Sequence, residues 1–167
     1  IWKVSDAPRL AAELSRATAH PVDLAALVRA LAEMFQDPDV HGAPRILLEL
    51  PASGLMVRGL EGPLAQVFRN IIENAMSFSP KEGEIRISAR AGGGRAIVTI
   101  EDQGPGIPDE NLEVIFRRFY TSRPLSHGFG KNSGLGLSIS RQIIEVHDGK
   151  IFAENRRDAD GKIAGAR

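Results

Sequence analysis

Residues 62–77 read GPLAQVFRNIIENAMS, and no other stretch of this chain has so regular a pattern. Asn70 and Asn74 lie one turn apart on the polar side of a predicted helix. Each asparagine in a helix interior costs roughly 0.5 kcal/mol relative to alanine. Two readings are open: a solvated helix face that tolerates both, or two amide oxygens facing a hard cation such as Mg²⁺. The helix is predicted by an apolar stripe formed by Leu64, Val67, Phe68, Ile71, Ile72 and Ala75.

Downstream of this helix, a carboxylate and two glycines follow a predicted strand. The strand covers residues 96–100, and the sequence after it is Glu101-Asp102-Gln103-Gly104-Pro105-Gly106-Ile107. Glycine and proline suffice to make a tight turn here. Alternatively, a carboxylate at a strand end accepts a hydrogen bond from an exocyclic amine while bare backbone approaches a flat ring. The residues leave both readings open.

A third element leads into the last predicted helix, residues 135–147. Glycines before a helix N-terminus let free backbone N–H groups meet a phosphate chain. Arg123 and Lys131 in the same loop are either charge-assisted phosphate contacts or solvated basic side chains. An amide-bearing helix, a strand-end carboxylate and a glycine-rich helix entry, in this order, together meet the needs of ATP–Mg²⁺. The glycines are Gly128, Gly130, Gly134 and Gly136.

The remaining pattern predicts short elements around these three. A helix over residues 5–19 ends at His20-Pro21, and Asp23 caps a second helix over residues 24–35. Residues 103–133 have little periodicity and predict a long loop with one short helical turn, which is typical of a functional segment. Strands are predicted over residues 45–50, 55–58, 84–90, 96–100 and 150–154, with another from residue 161, and three glycines at 92–94 predict a hairpin.

The composition is that of one globular domain with a short appendage. The chain has 167 residues, of which 43% are hydrophobic and 25% charged. Its 21 basic and 21 acidic side chains cancel, so no overall field attracts nucleic acid or an acidic membrane, and any anion must be held by local groups. The absence of cysteine excludes disulfides and thiolate metal sites. No apolar run approaches the roughly 20 residues that span a bilayer.

Four motifs resemble those of the catalytic domains of bacterial sensor histidine kinases, which belong to a wider group that also includes gyrase, the Hsp90 chaperones and MutL. Asn70-Ile-Ile-Glu-Asn74-Ala75 resembles the N box, and Asp102-Gln-Gly104-Pro-Gly106-Ile107 the G1 box. Phe116-Arg-Arg-Phe119-Tyr120 resembles the F box, and Gly134-Leu-Gly136-Leu137 the G2 box. Order and spacing agree over roughly residues 20–160. Residues 119–124 and 133–142 further resemble the alphaproteobacterial envelope-stress branch of these kinases.

The resemblance implies an α/β fold, a two-layer sandwich in which helices cover one face of a mixed, largely antiparallel sheet and a mobile lid closes over ATP. It divides the chain into residues 1–19, the end of a dimerisation helix, and residues 20–167, the ATP-binding domain, with its last strand truncated. By matching position, Asp102 accepts from adenine N6, and Asn74 binds Mg²⁺ with Asn70 beside it. The other residues expected to bind nucleotide are Gly104, Gly106, Ile107, Tyr120, Arg123, Lys131, Gly134, Leu135, Gly136 and Leu137.

The implied activity is transfer of the γ-phosphate of ATP to a histidine on a dimerisation domain that this chain lacks. His20 precedes a proline, His41 and His127 are in predicted loops, and His147 closes a helix, so none stands in an acceptor motif. The resemblance further implies a response-regulator receiver domain as a partner. It implies a homodimeric full-length protein in the bacterial inner membrane, with this domain in the cytoplasm and not itself touching the membrane.

Two positions depart from the family pattern. Ser77 stands where many relatives have a basic residue near phosphate, and Thr121 stands where an arginine is common. Arg123 and Lys131 are candidates to compensate for both.

Two rival functions stay open on the residues alone. In the ATPase relatives a glutamate base stands at the position of Asn70, and its absence favours transfer over hydrolysis. An ATPase would need another base, for which Glu73 is the candidate. The other rival is a degenerate nucleotide-binding adaptor, which would show no Mg²⁺-dependent affinity for ATP.

Overall fold

A computed structural model describes residues 12–14, 16–36, 42–120 and 134–167. The described helices are α1 (Leu24–Phe35), α2 (Glu61–Phe78) and α3 (Gly136–Val146). Two short 3-10 turns, Asp109–Asn111 and Val114–Phe116, precede α3. The described strands are β1 (His20–Asp23), β2 (Arg45–Glu49), β3 (Met56–Gly59), β4 (Glu84–Gly92), β5 (Arg95–Glu101), β6 (Asn155–Arg157) and β7 (Ile163–Ala166).

The central sheet of the described residues is mixed and has the order β2-β4-β5. Strand β2 runs parallel to β4, and β4 pairs antiparallel with β5 through a tight hairpin. Two smaller antiparallel pairs, β1-β3 and β6-β7, complete the strand pairing. The predicted class, helices with a mixed and largely antiparallel sheet, agrees with this arrangement, although the strands are divided among three sheets.

The core lies between the central sheet and helices α1 and α2. In β4 the side chains alternate: Ile85 and Ile87 are buried, and Arg86 is exposed. The buried face of β4 packs with Val28 of α1 and Ile72 of α2 in one hydrophobic cluster. Helices therefore cover one face of the sheet, as predicted.

Helix α3 packs along α2, and a smaller cluster lies between them. Val67 of α2 and Ile143 of α3 are buried there together with Leu14. Residues 12–14 and 16 are helical, while the rest of the predicted helix before residue 17 lies outside the described residues. Leu14 thus packs against α2 and α3, the two helices that carry the candidate motifs.

The helices predicted over residues 24–35, 62–77 and 135–147 are confirmed within one residue at each end, and the hairpin within two. The helix predicted over residues 5–19 does not include residues 17–19. The Asp23 carboxylate caps α1 by accepting from the backbone nitrogens of Ala25 (3.0 Å) and Ala26 (3.3 Å). Strands β2 to β5 also lie where the alternation and turn residues predict them. These elements are specified by local pattern, which explains why sequence reasoning locates them.

Three local predictions are wrong. Residues 150–154 form no strand, and β6 starts at Asn155. Glu154 exchanges two backbone hydrogen bonds with Arg167, whereas residues 150–153 pair with no described strand. Residues 20–23 form β1, although the His20-Pro21 pair predicted only the end of a helix. Proline is compatible with an edge strand, and β1 pairs on one side only, with β3. In its described part, residues 103–120, the long loop contains two 3-10 turns instead of one helical turn.

In the described part of the chain, none of the helices has both the length and the apolar character needed to cross a bilayer.

Candidate functional site

One cavity of about 750 Å³ opens between α2, the loop after β5, the start of α3 and residues of the 151–167 segment. The three separated motifs of the sequence meet at this cavity. Its lining is partly apolar and partly polar, as is usual for a site that binds a small molecule. The predicted site residues that line it are Asn70, Asn74, Asp102, Gly106, Ile107, Tyr120, Gly134, Gly136 and Leu137.

Two of the predicted site residues that the structure describes, Gly104 and Leu135, are not part of this lining. Gly104 is in the loop after β5 and packs against the end of α2. A Cβ at this position would lie 2.8 Å from the Phe78 carbonyl oxygen, so only glycine fits there. Leu135 is the N-cap residue of α3. Arg123 and Lys131 lie outside the described residues, as does Thr121.

Asn70 joins α2 to the first turn of α3. Its Nδ2 donates to the Gly136 carbonyl oxygen (3.1 Å) and to the Ser140 hydroxyl (3.3 Å). Since a carbonyl oxygen can only accept, the nitrogen of the amide must face α3. The amide oxygen Oδ1 has no hydrogen bond to any described residue, so it remains available to a ligand.

Asn74 lies one turn further along α2 and also lines the cavity. Its amide makes no hydrogen bond with the described residues, and its side chain is only partly buried. The solvated-face reading therefore does not describe Asn70, whose amide joins two helices, while a ligand role for Asn74 stays a prediction. Both amides border the cavity, and one of them is engaged in holding two helices together.

Asp102 stands where β5 ends, with one carboxylate oxygen occupied by the backbone. Oδ1 accepts from the nitrogens of Gly104 (2.8 Å) and Ala166 (3.1 Å). The Asp102 nitrogen in turn donates to the Ala166 carbonyl (3.0 Å). Within the described structure, Oδ2 has no donor, and Asp102 lines the cavity, so this oxygen is free to accept from a ligand amine.

The first turn of α3 brings backbone donors to the cavity. Leu135, its N-cap, makes no side-chain hydrogen bond to the helix, so the first N–H groups keep no side-chain acceptor. Gly136 and Leu137 line the cavity at this end. The backbone of Phe119 donates to the Gly134 carbonyl (3.0 Å), which brings the two ends of segment 120–134 together. A helix N-terminus of this kind favours an anion.

Sequence reasoning missed the β6–β7 side of the site. Arg156 donates to the Asp102 carbonyl oxygen (2.9 Å), and Asn155 bonds to both backbone polar groups of Ile107. Arg167 lines the cavity and bonds to the Glu154 carboxylate, which raises the pKa of the Arg167 guanidinium. No local pattern marks Asn155 and Arg156, because their partners Ile107 and Asp102 lie 48 and 54 residues away along the chain.

The same side of the cavity carries apolar side chains that the sequence did not flag. Phe152 and Ile163 are 67% and 39% exposed, which is unusual for large apolar side chains in a folded domain. Further apolar lining residues are Ile71, Ala75, Phe78, Ile100, Ile115, Phe116 and Ile151.

Among the described residues, no group of three or more histidine, cysteine, aspartate or glutamate side chains could hold a metal ion. Asn70 and Asn74 both line the cavity. Their amide oxygens are suitable ligands for a hard cation that is also bound by a phosphate chain.

Comparison with known proteins places these features in a family. Residues 59–164 match the model of the histidine kinase-, DNA gyrase B-, and HSP90-like ATPases. Over its full length the chain is 46% identical to the sensor protein ChvG of Rhizobium meliloti (strain 1021) and 44% identical to that of Agrobacterium fabrum (strain C58). It spans 30% and 29% of the lengths of these relatives.

A solved structure shares the fold. The nucleotide-free catalytic domain of the histidine kinase ThkA is 28% identical and superposes with a TM-score of 0.75, covering 90% of this chain and 91% of that one. The family resemblance and the α/β fold predicted from the four motifs are therefore confirmed.

Proposed function

Because this chain belongs to the histidine kinase-, DNA gyrase B- and HSP90-like ATPase family, as the ATP-binding domain of a sensor histidine kinase, we propose that it transfers the γ-phosphate of ATP to a histidine on a separate dimerisation domain. The observation that carries the proposal is the convergence of Asn74, Asp102 and Gly134–Gly136 on one cavity. These residues are far apart in sequence. They provide the three kinds of group that a triphosphate nucleotide needs: a ligand for Mg²⁺, an acceptor for the adenine amine and backbone N–H donors for the phosphates.

The adenine base is proposed to bind at Asp102. Its free Oδ2 accepts from the exocyclic amine, while Oδ1 stays bonded to Gly104 and Ala166. Gly106 and Ile107 line the same part of the cavity and approach the ring with backbone and an apolar side chain. Guanine would present a carbonyl oxygen to the carboxylate, so adenine is preferred.

The phosphates are proposed to bind between α2 and the first turn of α3. The backbone at Gly134, Gly136 and Leu137 offers N–H donors, aided by the positive end of the helix dipole. Asn74 and the Oδ1 of Asn70 would hold Mg²⁺, which when bound neutralises charge on the phosphates. Tyr120 borders the cavity, and Arg123 and Lys131 stay candidates for phosphate contacts.

Transfer is favoured over hydrolysis by the chemistry of Asn70. An amide does not accept a proton at neutral pH, so it cannot activate water as a glutamate would. In addition, its Nδ2 is bonded to Gly136 and Ser140 and is not free to reorient. The contribution of the domain to catalysis is thus positioning and charge neutralisation.

The partners of the whole protein follow from the same proposal. Residues 1–19 are proposed to end the dimerisation helix of the full-length kinase, and residues 20–167 to form the ATP-binding domain. A receiver domain would take the phosphoryl group from the histidine. The full-length protein would be a homodimer in the inner membrane, with this domain in the cytoplasm.

Two measurements test the proposal. Calorimetry should detect ATP binding that strengthens when Mg²⁺ is present. Incubation with radiolabelled ATP and the separately expressed acceptor domain should label a histidine, in an acid-labile bond. Mg²⁺-independent or absent ATP binding would instead support an adaptor. Steady phosphate release without acceptor would support an ATPase, with Glu73, which lines the cavity, as its base.

A further inference from the structure

Asn155 opens strand β6 and reaches away from it towards the loop after β5. Its Oδ1 accepts from the Ile107 nitrogen (2.8 Å), and its Nδ2 donates to the Ile107 carbonyl oxygen (2.6 Å). One side chain therefore satisfies both backbone groups of Ile107, as a neighbouring strand would. A backbone N–H only donates and a carbonyl only accepts, so the amide has one possible orientation.

The third hydrogen bond of Asn155 goes to Asp109. Nδ2 donates to Asp109 Oδ1 at 2.9 Å, and Asp109 Oδ2 lies 3.3 Å from the Arg157 guanidinium. This part of the network is exposed, so it contributes little to the stability of the fold. It gives a matched position at which a substitution leaves the Ile107 bonds in place.

The same hairpin holds the other end of the loop. Ala166 of β7 exchanges hydrogen bonds with Asp102, and Arg156 of β6 donates to the Asp102 carbonyl oxygen (2.9 Å). The loop is thus attached to the β6–β7 hairpin at Asp102 and at Ile107, both of which line the cavity.

Little space separates the loop from the hairpin between these two points. Gly106 has φ +75°, and a Cβ on it would lie 2.3 Å from Ile163 Cγ2 and 2.8 Å from Asn155 Oδ1. Asn155 and Ile163 therefore pack directly against the Gly106 backbone, with no room for a side chain between them.

From this geometry we infer that Asn155 is a positioning residue for nucleotide-base recognition. It fixes the distance between the Asp102 carboxylate and the backbone at Ile107. This distance in turn determines the preference of the site for adenine over guanine. The inference rests on the proposed function, in which Asp102 accepts from the adenine amine. A site that hydrogen-bonds one base rejects another only when its groups are held in place.

The test is the ratio of ATP to GTP affinities of the full chain, measured by calorimetry with Mg²⁺. Asn155→Ala removes both bonds to Ile107 and is expected to weaken ATP about tenfold while leaving GTP unchanged, so the ratio falls about tenfold. Asn155→Asp keeps the acceptor for the Ile107 nitrogen but turns an oxygen towards the Ile107 carbonyl, so it should lower the ratio as well. This near-isosteric variant serves if the alanine variant does not fold.

Asp109→Ala is the matched control. It removes the third bond of Asn155 and keeps the two bonds to Ile107, so the ratio should stay at the wild-type value. An unchanged ratio in both Asn155 variants, or an equal weakening of ATP and GTP, would overturn the inference. A wild-type chain that binds no ATP, or binds both nucleotides equally, would instead overturn the proposed function.

Discussion

The Asn70 side-chain nitrogen lies 3.1 Å from the Gly136 carbonyl oxygen and thereby joins α2 to the first residue of α3. The same nitrogen lies 3.3 Å from the Ser140 hydroxyl, which itself donates to Gly136 (2.8 Å). Three polar groups from two helices are thus mutually satisfied at the edge of the cavity. Asn70, which the sequence suggested as a metal ligand, therefore also holds α2 and α3 together.

Asn70→Asp should destabilise the domain. The carboxylate offers no donor to the Gly136 carbonyl and places negative charge beside it, so we expect a loss of roughly 1–3 kcal/mol in the free energy of unfolding. Urea denaturation measures this. Ser140→Ala keeps the Asn70–Gly136 bond and should cost less; a larger loss in Ser140→Ala than in Asn70→Asp would contradict the assignment.

Asn74→Ala should separate binding from stability. The amide has no hydrogen bond to the described residues, so the free energy of unfolding should change by no more than about 0.5 kcal/mol. If Asn74 holds Mg²⁺, ATP affinity in the presence of Mg²⁺ should fall about tenfold or more, while affinity without Mg²⁺ stays the same. Calorimetry with and without Mg²⁺ checks this, and an equal decrease under both conditions would exclude a role through the metal.

Asp102→Asn should leave the fold intact and weaken nucleotide binding. An asparagine oxygen can still accept from Gly104 and Ala166, whereas its nitrogen can no longer accept from adenine. Loss of a hydrogen bond to a charged group corresponds to roughly 1.5–3 kcal/mol of binding free energy. Asp102→Ala should lose both stability and binding. If Asp102→Asn bound ATP as tightly as the wild type, the adenine contact would be refuted.

Asp23 should make stability depend on pH. Hydrogen bonds from the backbone nitrogens of Leu55 and Ala26 hold the pKa of Asp23 below its ordinary value. The folded-state pKa is therefore the lower one, so this stabilisation is present above the unfolded-state pKa of about 3.9. It is lost as the pH falls through the folded-state value.

Urea denaturation of Asp23→Asn should accordingly show lower stability than the wild type at pH 7, with the difference shrinking below pH ~4. Asp160→Asn is the control, since Asp160 is exposed and its carboxylate accepts no hydrogen bond from the described residues. A pH-independent difference for Asp23→Asn would show that the carboxylate charge is not the cause.

His147→Leu should loosen the contact between the start of α2 and the end of α3. His147 Nε2 accepts from the Leu60 nitrogen (2.9 Å), and Nδ1 lies 2.7 Å from the Ile143 carbonyl, to which it donates. Leucine would leave the Leu60 N–H unpaired, at a cost of roughly 1–3 kcal/mol in unfolding free energy. His147→Gln retains an acceptor and should cost less in the same urea experiment. Equal losses would assign the effect to packing instead.

Much of the fold follows from local pattern. The apolar stripe of residues 64–75, the Asp23 cap and the glycines between β4 and β5 each act on neighbours within a few residues, so their consequences are readable along the chain. Residues 150–154 show the limit of this reasoning. Their alternation resembles that of a strand, yet a strand requires a partner. Of these five residues only Glu154 has one, through its two backbone hydrogen bonds to Arg167.

The amino-acid sequence alone was sufficient to identify the family, the three candidate motifs and nine of the residues that line the cavity. Only the folded arrangement determines which atoms of those residues are free. Asn70 meets Gly136 across 66 residues and Asp102 meets Ala166 across 64. Each contact occupies one polar atom of the side chain and leaves the other without a hydrogen bond to the described residues. Such pairings depend on the docking of distant segments, and hydrogen bonding is satisfied by proximity in space, which local periodicity does not encode.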